Sequence, residues 1–186
     1  MTLEEHSLYR ALTGRRPLVE CVIPAAFNIG LIAGTPTLVQ AGLELAADPG
    51  ICLRFPAELE ALDAEVVIID TPPALTIELT LALYAADIVI VPVGLSRWTV
   101  AAYQVIADRL CVIEKTTGRP VRLLALADIV TEREAEILRK IPGWTMMQAA
   151  IYESAAIRNA TNNGTALKDT GKAWNWYSDL AGEVMN

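Results

Sequence analysis

The sequence predicts an α/β protein built on a three-layer, doubly wound, mostly parallel β-sheet. The first observation is the β-branched run Val-Val-Ile-Ile at 66–69, which is typical of a strand buried on both faces of a parallel sheet. A second such run covers 88–91 and stops at Pro92. Residues 75–86, between the two runs, have the length and composition of a helix. Together the three segments predict one βαβ unit with a right-handed crossover.

The predicted strand 66–69 ends at Asp70, and the chain then turns through Thr71 and Pro72. An acid at the carboxyl end of such a strand points into the crevice where open α/β sheets bind ligands. An Asp in this position also serves in many folds to cap the following turn. Asp70 is therefore a candidate for either a nucleotide site or a turn cap.

Length and composition bound the function. The 186 residues, 53% of them hydrophobic, suit a single domain over residues 1–186 with a sizeable core. The formal net charge of -7 is a poor match for coating DNA, because phosphate contacts need clustered Lys and Arg. Cys21, Cys52 and Cys111 lie far apart without metal-ligand spacing, and His6 is the only histidine, so we expect reduced thiols in a cytoplasmic protein and no zinc site.

Turn and cap signals predict the elements before residue 66. Thr35 has the side chain of a helix cap, and Pro36 suits the first helical position. The predicted elements are, in order, a helix over 1–16 closed by Gly14, strands over 18–23 and 28–34, a helix from Thr35 to Ala47 ended by the turn 48–50, and a helix over 55–62.

The chain after residue 93 follows the same alternation. Thr131 and Glu134 have the spacing of a capping box, and Trp174 and Tyr177 have helical spacing that favours packing against the sheet. The predicted elements are a loop over 94–99, a helix over 100–116, a strand over 121–127 ending near Asp128, a helix to Lys140, a segment 144–151 leading into Ser154, a turn at 162–164 and a helix over 171–184.

Two stretches resemble a known family. Ile-Ile-Asp-Thr-Pro-Pro at 68–73 and Ala-Ala-Asp-Ile-Val-Ile-Val-Pro-Val at 85–93 resemble the Walker B motif and following strand of the ParA/MinD family of deviant Walker A partition ATPases. The segment NIGLIAGTPTLVQAGLEL, at 28–45, stands where the family has a segment before Walker B. The resemblance implies a P-loop NTPase-like fold with ATP and Mg²⁺ as cofactors.

The resemblance also implies roles for particular residues. Asp70 would be the catalytic acid and would hold Mg²⁺ through water, and Thr71 with Pro72 would respond to the γ-phosphate. Asp128 would lie near the adenine, as would Ser154, although Tyr-Glu-Ser at 152–154 replaces the family's Pro-Arg-Asn/Asp. The sequence also departs from the family pattern at Ala125, where Asn or Thr is frequent.

The family's phosphate-binding loop is missing from this sequence. That loop, of KGGxGKT type, follows the family's first strand, and the resemblance here begins after both, covering about the latter three-quarters of a ParA domain. The glycine pairs Gly30 to Gly34 and Gly42 to Gly50 are not followed by Gly-Lys-Ser/Thr. Two functions therefore stay open: a ParA-like partition protein of plasmid or chromosome segregation, in which hydrolysis by this chain is not expected, and a non-enzymatic pseudo-ATPase module for interaction or dimerisation.

The resemblance further implies partners. They are a second copy in a homodimer, a ParB-like protein, and nonspecific DNA, bound weakly if at all. No membrane partner is expected, because the last helix lacks a basic amphipathic tail. A phosphoacceptor receiver domain is a third reading, which ranks lowest because Asp70 has no nearby acidic partners in sequence.

The missing strand has a structural consequence. In the family it lies beside the Walker B strand, so we expect 66–69 either to pair directly with 88–91 or to share a sheet edge in a homodimer. If 66–69 is buried on both faces, Lys in place of Val67 or Ile68 should prevent folding.

Overall fold

The computed structural model describes residues 2–96 and 98–185, which fall into two compact units. The N-terminal unit spans Met1–Ala86 and the C-terminal unit spans Asp87–Asn186, and each is described by itself. Met1, the first residue of the predicted N-terminal helix, lies outside the described residues. The single domain over 1–186 stays a prediction.

The N-terminal unit is mainly helical. Its core joins three helices, which contribute Leu45, Phe55 and Leu81, all at most 4% exposed. The elements are 3₁₀ turns at Leu3–His6, Leu18–Cys21 and Ala26–Asn28, helices α1 (Leu8–Leu12), α2 (Leu38–Ala46), α3 (Ile51–Glu60) and α4 (Ile77–Ala85), and the antiparallel pair β1 (Ile23–Pro24) and β2 (Gly30–Leu31).

The predicted strand 18–23 is wrong over most of its length. Pro17 precedes a 3₁₀ turn at Leu18–Cys21, and its first and last residues are both buried in the core. Residues three apart lie on the same side of a 3₁₀ turn, so Leu18 and Cys21 both face the core. In a strand, residues three apart point to opposite faces, and one of these two side chains would point away from the core. The predicted strand 28–34 is reduced to Gly30–Leu31, and the helix expected from Thr35 begins at Leu38.

The predicted strand 66–69 is also wrong. Residues 66–70 run without helix, turn or bend, but they belong to no strand. Val66, Val67 and Ile68 are 49%, 43% and 89% exposed, so the segment is not buried on both faces. Because a strand is defined by hydrogen bonds to a neighbour, the β-branched run supplies an extended course without making a strand. The predicted βαβ unit is therefore wrong, because 66–69 form no strand among the described residues.

The C-terminal unit contains a parallel sheet of three strands in the order β3 (Ile88–Val93), β4 (Arg122–Val130) and β5 (Met146–Tyr152). The strand β3 pairs with β4 from Ile88↔Arg122 to Val93↔Ala127. The elements are β3 (Ile88–Val93), α5 (Arg97–Thr117), β4 (Arg122–Val130), α6 (Glu132–Leu138), β5 (Met146–Tyr152), α7 (Ala155–Asn163) and α8 (Lys172–Met185).

Helices cover both faces of this sheet. Tyr103 of α5 and Leu138 of α6 pack with Val93 and Ala127 on one face. On the other face, Ile157 of α7 and Trp176, Leu180 and Val184 of α8 pack against a cluster formed by Leu124, Leu126, Met147, Ala149 and Ile151. This three-layer arrangement confirms the predicted α/β class and its doubly wound parallel sheet.

Local signals placed most elements of this unit correctly. Thr131 and Glu134 form the predicted capping box at the start of α6. The predicted loop 94–99 is shorter than expected, because Ser96 caps α5 and the helix begins at Arg97. The predicted turn 162–164 is the end of α7, which the sequence did not predict and which Gly164 closes in the left-handed conformation.

Candidate functional site

The predicted site residues lie in both compact units. Asp70, Thr71 and Pro72 belong to the N-terminal unit, and Asp128 and Ser154 belong to the C-terminal unit. The structure therefore presents two groups, which are described separately.

Asp70 is an exposed acid at the end of the extended segment. Within residues 2–185 its carboxylate takes part in no hydrogen bond and no ion pair. The turn-cap alternative fails, because α4 is capped by Thr76, whose Oγ1 accepts a hydrogen bond from the Leu79 N–H at 3.4 Å. The carboxylate is thus free to bind a ligand.

Thr71 and Pro72 connect Asp70 to α4. Thr71 is half-buried, and the Pro72 carbonyl accepts a hydrogen bond from the Ala74 N–H at 2.8 Å. This short turn links the position of Asp70 to the start of α4, so a ligand at Asp70 would contact a segment that leads directly into a packed helix.

The donor set around Asp70 fits a single magnesium contact. No group of three or more His, Cys, Asp or Glu residues in the described part of the chain could hold a metal ion by itself. Mg²⁺ keeps several of its waters and binds one or two carboxylates together with substrate phosphates. The free Asp70 carboxylate matches one such contact, made through water.

Asp128 lies near the carboxyl end of the central strand β4 and is half-buried. Burial raises the pKa of its carboxyl group, an effect that a hydrogen bond from the Ile129 N–H partly offsets. Burial, with a smaller contribution from the Asp128 charge, also raises the pKa of the Tyr177 phenol in α8. Asp128 and Tyr177 therefore interact at this edge of the sheet.

Ile129 has a strained backbone, with φ of 53°. A β-branched residue rarely adopts this left-handed conformation, and such strain concentrates at functional sites. The register between β4 and β5 shifts in the same place, between Asp128 and Val130. The strained backbone and the shift in register both occur next to Asp128, and neither could be predicted from the sequence.

The structure brings Asp128 and Ser154 to the same edge of the sheet. Asp128 pairs in register with Ile151, and the Glu153 N–H donates to the Val130 carbonyl at 3.1 Å. Ser154 then caps α7, its Oγ accepting a hydrogen bond from the Ala156 N–H at 3.1 Å. Asp128 and Ser154, the two residues predicted to lie near the adenine, are thus located at the ends of adjacent strands.

A groove of 410 Å³ opens beside Ser154, between α7 and the start of α8. Asn159, Lys168, Lys172 and Trp174 contribute to its lining. It offers amide, ammonium and aromatic groups together. No sequence motif predicted a role for Lys168 or Lys172. Gly171, which precedes Lys172 at the start of α8, has φ of 103°.

Membrane insertion through a helix has no candidate segment in residues 2–185, where every helix is too short or too polar to span a bilayer.

Comparisons with known proteins agree with this fold. A family model described as an AAA domain, AAA_31, matches residues 2–122. A comparison with curated proteins found no match. The fold is similar to a proposed plasmid partition protein from Borrelia burgdorferi B31 solved with AMPPNP, at a TM-score of 0.76 and 18% identity over 100% of this chain and 76% of that one. It is also similar to a Borrelia burgdorferi plasmid partition protein, at 0.70 and 17% over 100% and 74%.

Proposed function

The chain belongs to the AAA_31 family of ParA/MinD-like AAA domains, and we propose that it acts as a ParA-like partition protein in the segregation of a plasmid or chromosome. The observation that carries this proposal is the fold similarity to two Borrelia plasmid partition proteins, which extends over the whole of this chain. The free carboxylate of Asp70, at the position that resembles a Walker B acid, supports it.

We further propose that each unit contains residues with a role in binding a nucleoside triphosphate, as the family resemblance implies. Asp70 would hold Mg²⁺ through water, with Thr71 and Pro72 beside the γ-phosphate, and Asp128 and Ser154 would lie on the base side. When bound, Mg²⁺ offsets phosphate charge. The similar Borrelia structure with AMPPNP motivates the assignment, and the free Asp70 carboxylate and the strain beside Asp128 support it.

Hydrolysis by this chain is not part of the proposal. Phosphoryl transfer needs backbone N–H groups that cradle the phosphates and a lysine that offsets their charge. The sequence contains no Gly-Lys-Ser/Thr run that would supply them. Asp70 alone can orient a metal ion, but it cannot replace those contacts.

Calorimetry with ATP tests the nucleotide proposal. In the presence of Mg²⁺ we expect saturable binding that Asp70→Ala weakens about tenfold, because one charge-assisted contact is lost. When Mg²⁺ is chelated, the two proteins should bind ATP equally. Asp179→Ala is a matched control, since Asp179 is an exposed acid of α8 with no partner in the described chain. Absence of binding at millimolar ATP would contradict the nucleotide proposal and favour the non-enzymatic module.

We propose only weak binding of nonspecific DNA, together with a homodimer and a ParB-like partner as the family resemblance implies. Several arginines that could contact phosphates are already paired: Arg15 with Glu44 at 3.1 Å, and Arg119 with Asp87 at 2.8 Å. A gel-shift titration at low salt should therefore find little retardation of duplex DNA. Tight binding at physiological salt would contradict this part of the proposal.

The pseudo-ATPase module remains a second candidate. It is favoured by Tyr-Glu-Ser at 152–154, which stands where the family resemblance implies Pro-Arg-Asn/Asp.

A further inference from the structure

The strand β5 contains a bulge opposite the central strand β4, which we call the β5 bulge and define as residues 147–149. Ala125 pairs with Met146, and Ala127 pairs with Ala150. The strand β5 therefore advances by four residues, from 146 to 150, where β4 advances by two, from 125 to 127. Bulges are common next to functional sites, where they redirect the chain. The β5 bulge determines how far along β4 the carboxyl end of β5 reaches.

The apolar side chains of β5 do not by themselves select the bulged register. They alternate between the two faces of the sheet: Met147, Ala149 and Ile151 pack on the α8 face, and Met146, Ala150 and Tyr152 pack on the α6 face. If the β5 bulge were straightened, the end of β5 would shift by two residues along β4. Because the side-chain period of a strand is two, every side chain would keep its face. The register therefore needs another determinant.

Two charged side chains hold the β5 bulge from opposite faces of the sheet. The Glu183 carboxylate of α8 accepts hydrogen bonds from the Gln148 and Ala149 N–H groups, at 2.9 and 2.8 Å. The Nη2 group of Arg139, at the end of α6, donates a hydrogen bond to the Gln148 carbonyl at 2.8 Å. Consecutive N–H groups of a regular strand point to opposite sides, so a bulge is what lets both reach one carboxylate. These three hydrogen bonds are specific to the bulged register.

We infer that Glu183 and Arg139 are positioning residues, which hold the β5 bulge and thereby fix the register of β5. That register sets the end of β5 beside Asp128 and brings Ser154 to the same edge of the sheet. In the straightened register Ser154 would lie about 7 Å further along, because a strand rises about 3.3 Å per residue. The consequence for a nucleotide base rests on the proposed function, whereas the register itself does not depend on nucleotide.

Interstrand nuclear Overhauser effects in the isotopically labelled full chain test the register without nucleotide. The unmodified protein should show backbone contacts between Ala127 and Ala150. In Glu183→Ala, contacts between Ala127 and Gln148 should replace them, because loss of two charge-assisted hydrogen bonds favours the straightened strand by about tenfold. Glu183→Gln keeps one acceptor oxygen and should populate both registers, which decides the question if Glu183→Ala does not fold. A folded Glu183 variant with only the original contacts would overturn the inference, since Glu183 would then stabilise the unit without setting its register.

The role of Arg139 has a rescue variant and a matched control. Arg139→Ala should show some of the shifted contacts, because the Gln148 carbonyl loses its donor. Arg139→Lys keeps a donor and should restore the original contacts. Lys140→Ala, which removes the exposed neighbouring cation, should leave them unchanged. Original contacts alone in Arg139→Ala, or shifted contacts in Lys140→Ala, would overturn the role assigned to Arg139.

Calorimetry with ATP and with inorganic triphosphate, both in the presence of Mg²⁺, tests the consequence for the base. Glu183→Ala should weaken ATP binding about tenfold and leave triphosphate binding unchanged, because only ATP carries a base. Equal effects on the two ligands in a variant whose register has shifted would overturn this consequence. If the unmodified chain binds no ATP, the proposed nucleotide binding fails, and the Overhauser contacts alone then support or overturn the inference.

Discussion

The two β-branched runs of this chain have the same sequence pattern and different structures. Residues 88–91 lie in β3 and pair with β4 at four registered positions, from Ile88↔Arg122 to Val91↔Ala125. Residues 66–69 contain no helix, turn or bend, and they pair with nothing in the described chain. The difference teaches that β-branched residues set the conformation of a segment, whereas a neighbouring strand decides whether it becomes part of a sheet.

Burial follows pairing in both regions. Val93, at the end of β3, is 1% exposed because α5 and α6 cover that face of the sheet. Ile68 is 89% exposed. Substitutions at Val93 and Ile68 should therefore differ sharply in their effect on the free energy of unfolding.

The largest expected effect is that of Val93→Lys. An ammonium buried without a partner should cost several kcal/mol, comparable to the whole stability of a domain of about 5–15 kcal/mol. The C-terminal unit should lose cooperative urea unfolding, as followed by tryptophan fluorescence, since all four tryptophans lie in this unit.

Ile68→Lys is the matched comparison, and here the structure reverses the expectation from sequence. Because the side chain is in solvent, the free energy of unfolding measured by circular dichroism should change by no more than about 0.5 kcal/mol. An unfolded Ile68→Lys protein would mean that residues 66–69 are buried after all.

A smaller effect is expected from Glu183→Ala, which removes hydrogen-bond acceptors from backbone N–H groups of β5. The Glu183 carboxylate of α8 accepts hydrogen bonds from the Gln148 and Ala149 N–H groups of β5, at 2.9 and 2.8 Å. Loss of two charge-assisted bonds should lower the free energy of unfolding of the C-terminal unit by about 1–3 kcal/mol. The control Glu136→Ala, an exposed acid of α6, should have almost no effect, and equal effects would contradict this role.

The smallest effects are expected at two acids: Asp128, near the end of the paired strand β4, and Asp70, at the end of the unpaired segment 66–70. Burial raises the pKa of Asp128, so its contribution to stability is present below the unfolded pKa of about 3.9 and is lost as pH rises through the higher folded value. Asp128→Asn should therefore stabilise the C-terminal unit at pH 7, and this gain should vanish in acid. Asp70→Asn should not change stability at pH 7, because the exposed Asp70 has no described partner.

Urea unfolding of Asp128→Asn and Asp70→Asn at pH 7 and in acid checks this prediction. The Tyr177 phenol should also titrate at lower pH in Asp128→Asn, because a nearby negative charge is removed. A destabilised Asp128→Asn at neutral pH would indicate that the charged carboxylate has a stabilising partner.

Local signals in the sequence predicted much of the fold. The Thr131 capping box, the run at 88–91 and the last helix each depend on signals within a few residues, and the structure confirms all three elements. The expected packing of Trp174 and Tyr177 against the sheet is wrong, because they are 43% and 39% exposed and Trp176 makes that contact instead. The fate of 66–69 depends on a distant partner strand, which no local pattern encodes. The 3₁₀ turn at Leu18–Cys21 likewise reflects burial of both end residues in a core that the sequence does not reveal.

The candidate site was predicted in part. The positions of Asp128 and Ser154 at adjacent strand ends follow from a parallel sheet, and that topology could be expected from the strand pattern. The strain at Ile129 and the charge of Asp128 near Tyr177 depend on a register shift and on packing by α8, which only coordinates reveal.

Native-state hydrogen exchange tests the central claim, that residues 66–71 form an extended segment without a paired strand, most directly. At concentrations where the chain is monomeric, the amides of residues 66–71 should exchange almost as fast as in an unfolded peptide. Amides in the central strand, such as Leu124 and Leu126, should exchange only through unfolding of the C-terminal unit. Protection of 66–71 equal to that of β4 in the isolated chain would contradict the account.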